Sequence, residues 1–138
     1  MRKYEDALKY YQECLTIQEK ILGKNHPEYA LVLANFGNSV QGMGKYQDAL
    51  KYYQECLMIQ KNTLGKSHSN YAYSLNSIGD LLGSMGEYED SLKYHQESLT
   101  IQEKISGKNH YIYATFLNNI GSAFQNLGKK KEALKSYR

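Results

Sequence analysis

Tyr4, Ala7, Leu8, Tyr11, Cys14, Leu15, Gln18, Ile21 and Leu22 recur three and four residues apart, an apolar stripe interrupted only at Gln18. That spacing places residues on one face of an α-helix. Glu5, Asp6, Lys9, Glu13, Glu19 and Lys20 fall on the opposite face, so the pattern predicts a solvated amphipathic helix of about 20 residues, roughly 30 Å long. Gly23 is expected to end it. Beyond the loop Gly23-Lys24-Asn25-His26, Pro27 suits the first position of a second helix, where its missing N–H is not needed. The inner stripe of that helix is Ala30, Leu33, Phe36, Gly37 and Val40, and Gly42-Met43-Gly44 closes it.

The same pattern returns with a period of 42 residues, in blocks 3–44, 45–86 and 87–128 and in a partial block 129–138. The first two blocks agree at 24 of 42 positions, which makes a stacked repeat array the expected architecture. Each unit of such an array touches only its neighbours. The chain is therefore expected to form one elongated repeat domain over 1–138, with seven helical segments alternating between the long charged kind and the shorter uncharged kind. It opens on a long helix and stops within another, as expected of a segment cut from a longer array. Function has to be sought at the positions where the blocks differ.

Composition narrows the class. Charged residues are 22% and apolar residues 41% of the chain, an ordinary water-soluble balance. No apolar run approaches the roughly 18 residues of a membrane helix. Residues 1–13 carry Arg2, Lys3, Glu5, Asp6, Lys9 and Glu13, so a secretory leader is not expected there. The formal charge is +3, but residues 1–128 hold 12 Lys/Arg against 13 Asp/Glu. The basic excess is confined to Lys129, Lys130, Lys131, Lys135 and Arg138, too short a run to point to nucleic acid. Cys14 and Cys56 are equivalent positions one repeat apart, about 8–10 Å if neighbouring helices carry them, beyond disulfide reach. They read as small buried thiols, and a reducing, cytoplasmic setting is expected.

Gly37, Gly79 and Gly121 stand at one position of the three blocks, where a side chain would hold the shorter helix away from the long helix that follows. Small residues Ala7, Ala49, Ser91 and Ala133 are expected to approach from the long helix, with Tyr11 and Tyr53 filling the remaining space. Leu33-x-x-Phe36-Gly37-x-x-Val40 followed by Ala49-x-x-x-Tyr53 resembles the helix pair of tetratricopeptide repeats. Leu75, Ile78, Gly79, Leu82 with Ser91 and His95 keep the spacing, as do Leu117, Ile120, Gly121, Phe124 with Ala133 and Tyr137. The likeness covers essentially the whole chain. It departs in two respects: the usual Trp and Tyr of the shorter helix are Leu33 and Val40, and no proline closes the long helix. Eight extra residues lengthen the unit from 34 to 42, which is similar to the repeats of kinesin light chains and of the sensor regions of some signalling ATPases. The resemblance implies an all-α, right-handed superhelical solenoid of antiparallel helix pairs.

Catalytic chemistry finds little support. His26, His68 and His110 recur, but equivalent positions are spread along an array and cannot converge to the roughly 2.0–2.1 Å of a metal site. They are expected to order or cap the loops. His95 stands where the other blocks have Tyr11 and Tyr53 and is expected to pack. With no glycine-rich phosphate loop, no Cys-x-x-Cys and no nucleophile elbow, no enzyme activity, cofactor or metal is expected.

The outer faces differ more. The long helices carry charges, whereas the free stripe of the shorter ones is polar and uncharged. It reads Leu31, Ala34, Asn35, Asn38 and Gln41; then Tyr73, Asn76, Ser77, Asp80 and Ser84; then Thr115, Asn118, Asn119, Ser122, Gln125 and Asn126. Asn amides donate to and accept from a peptide backbone at once. In the family these helices line a concave side that holds an extended peptide, so the resemblance implies peptide-binding roles for Asn35, Asn38, Tyr73, Asn76, Asp80, Asn118, Asn119 and Ser122. Tyr73, Phe116 or Leu31 would supply a pocket wall. The other reading of the stripe is a solvated face, or one that fills gaps between neighbouring helices. Residues 27–43, 69–85 and 111–127 contain no Lys or Arg, unlike family members that hold the terminal carboxylates of chaperones. The function expected is that of a protein-binding scaffold with a protein or peptide partner and neither nucleic acid nor membrane. The alternatives are a self-associating head-to-tail array, with weak end-to-end contacts, and a sensor region of a larger signalling ATPase.

Overall fold

The structure, a computed structural model, describes residues 2–136. It is all-α, with no strand among the described residues. It divides into two compact units, Met1–Lys66 and Ser67–Arg138. The first holds α1 (Arg2–Leu22), α2 (Pro27–Gly42) and α3 (Tyr46–Thr63), and the second holds α4 (Ser69–Ser84), α5 (Tyr88–Ser106) and α6 (Tyr111–Ser136).

In the first unit α2 and α3 form the tightest pair, and the turn between them explains why. Gly44 adopts φ +80°, a left-handed conformation that a side chain would disfavour. The Lys45 N–H then reaches Val40 O at 3.0 Å and the Gly44 N–H reaches Gln41 O at 2.9 Å, closing a Schellman cap that turns the chain back. Tyr29, Ala30 and Leu33 of α2 bury against Cys56 and Ile59 of α3, with Leu15 and Tyr52 packed on this cluster. Gly37 lets Tyr53 lie directly on α2: a Cβ there would stand 2.8 Å from Tyr53 Cε1. Helix α1 adds its Tyr11 ring, stacked on Phe36 with centroids 4.2 Å apart. Its Tyr4 hydroxyl donates to the Asp48 carboxylate. Burial, reinforced by that bond, raises the Tyr4 pKa well above the ordinary phenol range. Cys14 and Cys56 are free thiols, the first half-buried and the second buried.

The second unit repeats the device with more polar parts. Gly86 takes φ +82°, and Glu87 N–H bonds Leu82 O at 2.9 Å. Leu75, Ile78, Leu81 and Leu82 of α4 are buried. The face of α5 beneath them carries Ser91, His95, Ser98 and Gln102, all buried, where α3 carries Ala49, Tyr53, Cys56 and Gln60. Ser91 Oγ donates to Gly79 O at 2.6 Å and Ser98 Oγ to His95 O at 2.8 Å. A Cβ on Gly79 would meet His95 Cε1 and Nε2 at 2.8 Å.

Three expectations are corrected. Six helices form among the described residues instead of seven, because α6 runs unbroken from Tyr111 to Ser136. Gly128 does not adopt the positive φ of its equivalents Gly44 and Gly86. Without a left-handed residue to close a cap there, the helix continues and its own N–H groups satisfy the carbonyls. For the same reason Gly121 has no close neighbour: a Cβ there would meet nothing within 4 Å. Tyr137, expected over it, lies outside the described residues, as does the side chain of Ala133. Third, Ile21, assigned to the inner stripe of α1, is exposed.

Candidate functional site

Helices α2, α4 and α6 begin alike. His26, His68 and His110 each accept, through Nδ1, from the backbone N–H two residues on, at 3.1, 3.0 and 3.1 Å. An extended backbone places the first two of these rings at the helix N-terminus, where the leading N–H groups lack partners. The recurring histidines are thus caps, as their loop position suggested.

Beyond the caps, the expected peptide-contacting residues divide. Asn35, Asn38, Tyr73, Asp80, Asn118 and Ser122 are exposed, and Asn119 is half-buried. Tyr73 packs edge-on against Phe116 with ring centroids 5.5 Å apart. Phe116 itself is buried and cannot wall a surface pocket. Leu31 remains exposed.

Asn76 does not lie on an open face. It is buried, its Oδ1 is 2.8 Å from His95 Nδ1, and Asn119 Nδ2 donates to the same oxygen at 3.1 Å. Spacing alone put Asn76 on the stripe. The missing signal is its neighbour α6, which leans over α4 at this level.

The two units handle the corresponding position differently. In the first, the Tyr53 hydroxyl donates to the Asn38 amide oxygen and lies 3.0 Å from Gln41 Oε1, so three side chains fill the space beside Gly37. In the second, the imidazole of His95 is shorter, Gly83 stands for Gln41, and Asp80 stands for Asn38. His95 Nε2 lies 3.5 Å from Asp80 Oδ1. Burial pushes the His95 imidazole below its ordinary value, only partly opposed by Asp80, and raises the Asp80 carboxyl above its own. The volume given up leaves a cleft of about 220 Å³ beside α4, α5 and α6, with Asp80, Ser84, Ser91, Ser122 and Asn126 on its walls. Ser91 and Gly83 were not recognised as site residues from sequence. The signal was available where the blocks differ at 41/83, 42/84, 49/91 and 53/95.

A family model described as tetratricopeptide repeat matches residues 1–62, 35–92 and 70–138. The chain belongs to the tetratricopeptide repeat family. Its fold is similar to that of BtubC (BKLC) from P. vanneervenii, with a TM-score of 0.79 and 21% identity over 91% of this chain and 51% of that one. It is equally similar to a Podosopora anserina protein of the kinesin-light-chain kind with nearly identical TPR-like repeats, at a TM-score of 0.79 and 21% identity, covering 95% of this chain and 62% of that one. The chain thus spans between half and two thirds of the length of these structures, and the likeness is one of fold. No curated protein sequence matches it. Tetratricopeptide repeats are in general protein-interaction scaffolds. No helix among the described residues is long and apolar enough to cross a membrane.

Proposed function

We propose that this tetratricopeptide chain is a non-catalytic scaffold, working in the cytoplasm, that grips an extended peptide on the exposed polar faces of α2, α4 and α6. The observation that carries the reading is the contrast between faces. Packing positions such as Gly37/Gly79 and Leu33/Leu75 are kept from block to block, while the exposed positions of these helices vary, hold Asn35, Asn38, Asn118 and Ser122, and include no Lys or Arg before Lys129. Exposed amides cost little to fold and can bond a peptide backbone of any sequence.

A peptide selected from a random library and labelled for fluorescence anisotropy tests this. Replacing Asn35 and Asn118 by Ala should remove about 1–3 kcal/mol each from a desolvated backbone contact, weakening binding roughly 30-fold or more. The circular dichroism spectrum should hardly change. Replacing Glu55, Lys93 and Glu97 of α3 and α5 serves as the control. If the control abolishes binding and the Asn pair spares it, the peptide sits on the charged helices and the reading fails.

A second reading has one observation in its favour. Leu117 and Phe124 of α6 are 49% and 54% exposed, whereas their equivalents Leu75 and Leu82 are 1% and 8% exposed beneath α5. A long helix from a second copy docking there would give head-to-tail association. Sedimentation equilibrium over a hundredfold concentration range separates the two readings.

A further inference from the structure

The cleft beside α4, α5 and α6 has features that a gap between repeats does not need. Comparing block 45–86 onward with the block before it, Gln41 becomes Gly83, Gly42 becomes Ser84, Ala49 becomes Ser91, Tyr53 becomes His95 and Asn38 becomes Asp80. Five differences thus meet at one place; together they empty the space that Tyr53 and Gln41 occupy in the first unit and surround it with oxygen acceptors. The charge balance is one-sided. The Asp80 side chain is 57% exposed, it is the one carboxylate among the residues that line the cleft, and none of those residues is Lys or Arg.

The hydrogen bonding sharpens this. Asn119 Nδ2 donates to Asn76 Oδ1, which fixes that oxygen as an acceptor, so His95 Nδ1, 2.8 Å from it, must hold the ring proton. Burial keeps the imidazole neutral. Nε2 of the neutral ring thus turns a lone pair toward Asp80 Oδ1, 3.5 Å away, so that both atoms can accept from one donor. A cationic N–H group entering the cleft would bond both.

We propose that this cleft is a specificity pocket for one basic side chain, the ammonium of a lysine or the guanidinium of an arginine, held by Asp80 and His95 Nε2 with Ser84, Ser122 and Asn126 around it. A volume of about 220 Å³ lies below the roughly 300–1,000 Å³ of pockets that enclose whole small molecules, and it suits the end of a single side chain. The proposal rests on the peptide-gripping reading, to which it adds the residue that the chain selects.

The test uses the full chain, labelled with nitrogen-15, and three probes: Nα-acetyl-lysine methylamide, its Nε-acetyl derivative, and Nα-acetyl-glutamate methylamide. The lysine probe is expected to shift amides of residues 79–84 and 122–126 in a saturable way, and the other two to leave them in place. Asp80→Asn should weaken lysine binding at least tenfold. Gly83→Gln should abolish it by returning to the cleft the side chain that Gln41 supplies in the first unit; a Cβ at Gly83 stands at an ordinary 3.5 Å from Ser91 Oγ, and an unchanged circular dichroism spectrum checks that the variant is folded. Lysine shifts elsewhere, equal shifts from the glutamate probe, or indifference to both substitutions would overturn the pocket. Library peptides that bind α4 and α6 with no preference for Lys or Arg at any position would also overturn it while leaving the peptide reading standing. Lysine binding in the cleft with no library peptide on these faces would sink the peptide reading and leave the pocket intact.

Discussion

One glycine position, repeated three times, should respond to the same substitution with opposite signs. At Gly37 an added methyl would lie 2.8 Å from Tyr53 Cε1 and 2.9 Å from Cδ1, against about 3.5–4.0 Å for a relaxed carbon contact. The ring must retreat by roughly 0.7 Å to restore that separation, yet it is 2% exposed and its hydroxyl is tied to Asn38. Overpacking of this kind costs about 1–3 kcal/mol, and the better helix propensity of alanine returns up to about 1 kcal/mol. Gly37→Ala should therefore destabilise the first unit by up to about 2 kcal/mol. Gly79→Ala should cost at least as much, since the His95 ring it strikes at 2.8 Å is buried and tied through Nδ1 to Asn76. At Gly121 the methyl meets nothing within 4 Å, so alanine should stabilise α6 by about 0.5–1 kcal/mol. Urea unfolding of the three variants, followed by far-ultraviolet circular dichroism, reads the differences directly. Three changes of one sign would refute the claim that close ring approach explains the first two glycines.

Removing the cap with His68→Ala should cost about 0.5–2 kcal/mol, seen as a lower urea midpoint, while His68→Asn should recover most of it. Asn76→Ala should destabilise by about 1–3 kcal/mol, because it strands the buried His95 Nδ1–H; a loss no larger than that of an exposed site such as Asn118→Ala would contradict its internal role. Acid should weaken the second unit through His95. Its folded pKa lies below the ordinary histidine value of about 6.5, so as pH falls through that value the unfolded chain takes up a proton that the folded chain refuses, and stability drops until the folded ring titrates. Asp80 acts in the reverse sense at lower pH, since its folded pKa is raised and protonation there favours the folded state. The melting temperature should thus fall between pH 7.5 and 5.5, by less in His95→Tyr; identical slopes in the two proteins would refute this assignment.

The helices, their glycine stops and their histidine caps were legible in the sequence because they arise from local rules, from spacing, φ and unpaired N–H groups. What escaped depended on neighbours. Gly121 matches Gly37 and Gly79 in sequence, but close approach needs a helix to approach, and α6 continues through Gly128 instead of turning back. Asn76 shares the stripe of Asn118, yet the donation from Asn119 draws it inward. The cleft was legible only in part: Asp80 and Ser122 stood out as polar stripe residues, but the missing volume shows only when Tyr53 and Gln41 are compared in space with His95 and Gly83.

The most direct test of the whole account maps where a ligand sits. Extended peptides enriched from a random library by the full chain should be titrated into nitrogen-15-labelled protein, and the amide shifts assigned. The account predicts that the shifts fall on the exposed faces of α2, α4 and α6, at or beside Asn35, Tyr73, Asp80, Asn118 and Ser122. Shifts gathered instead around Glu55 of α3 and Lys93 and Glu97 of α5 would contradict it.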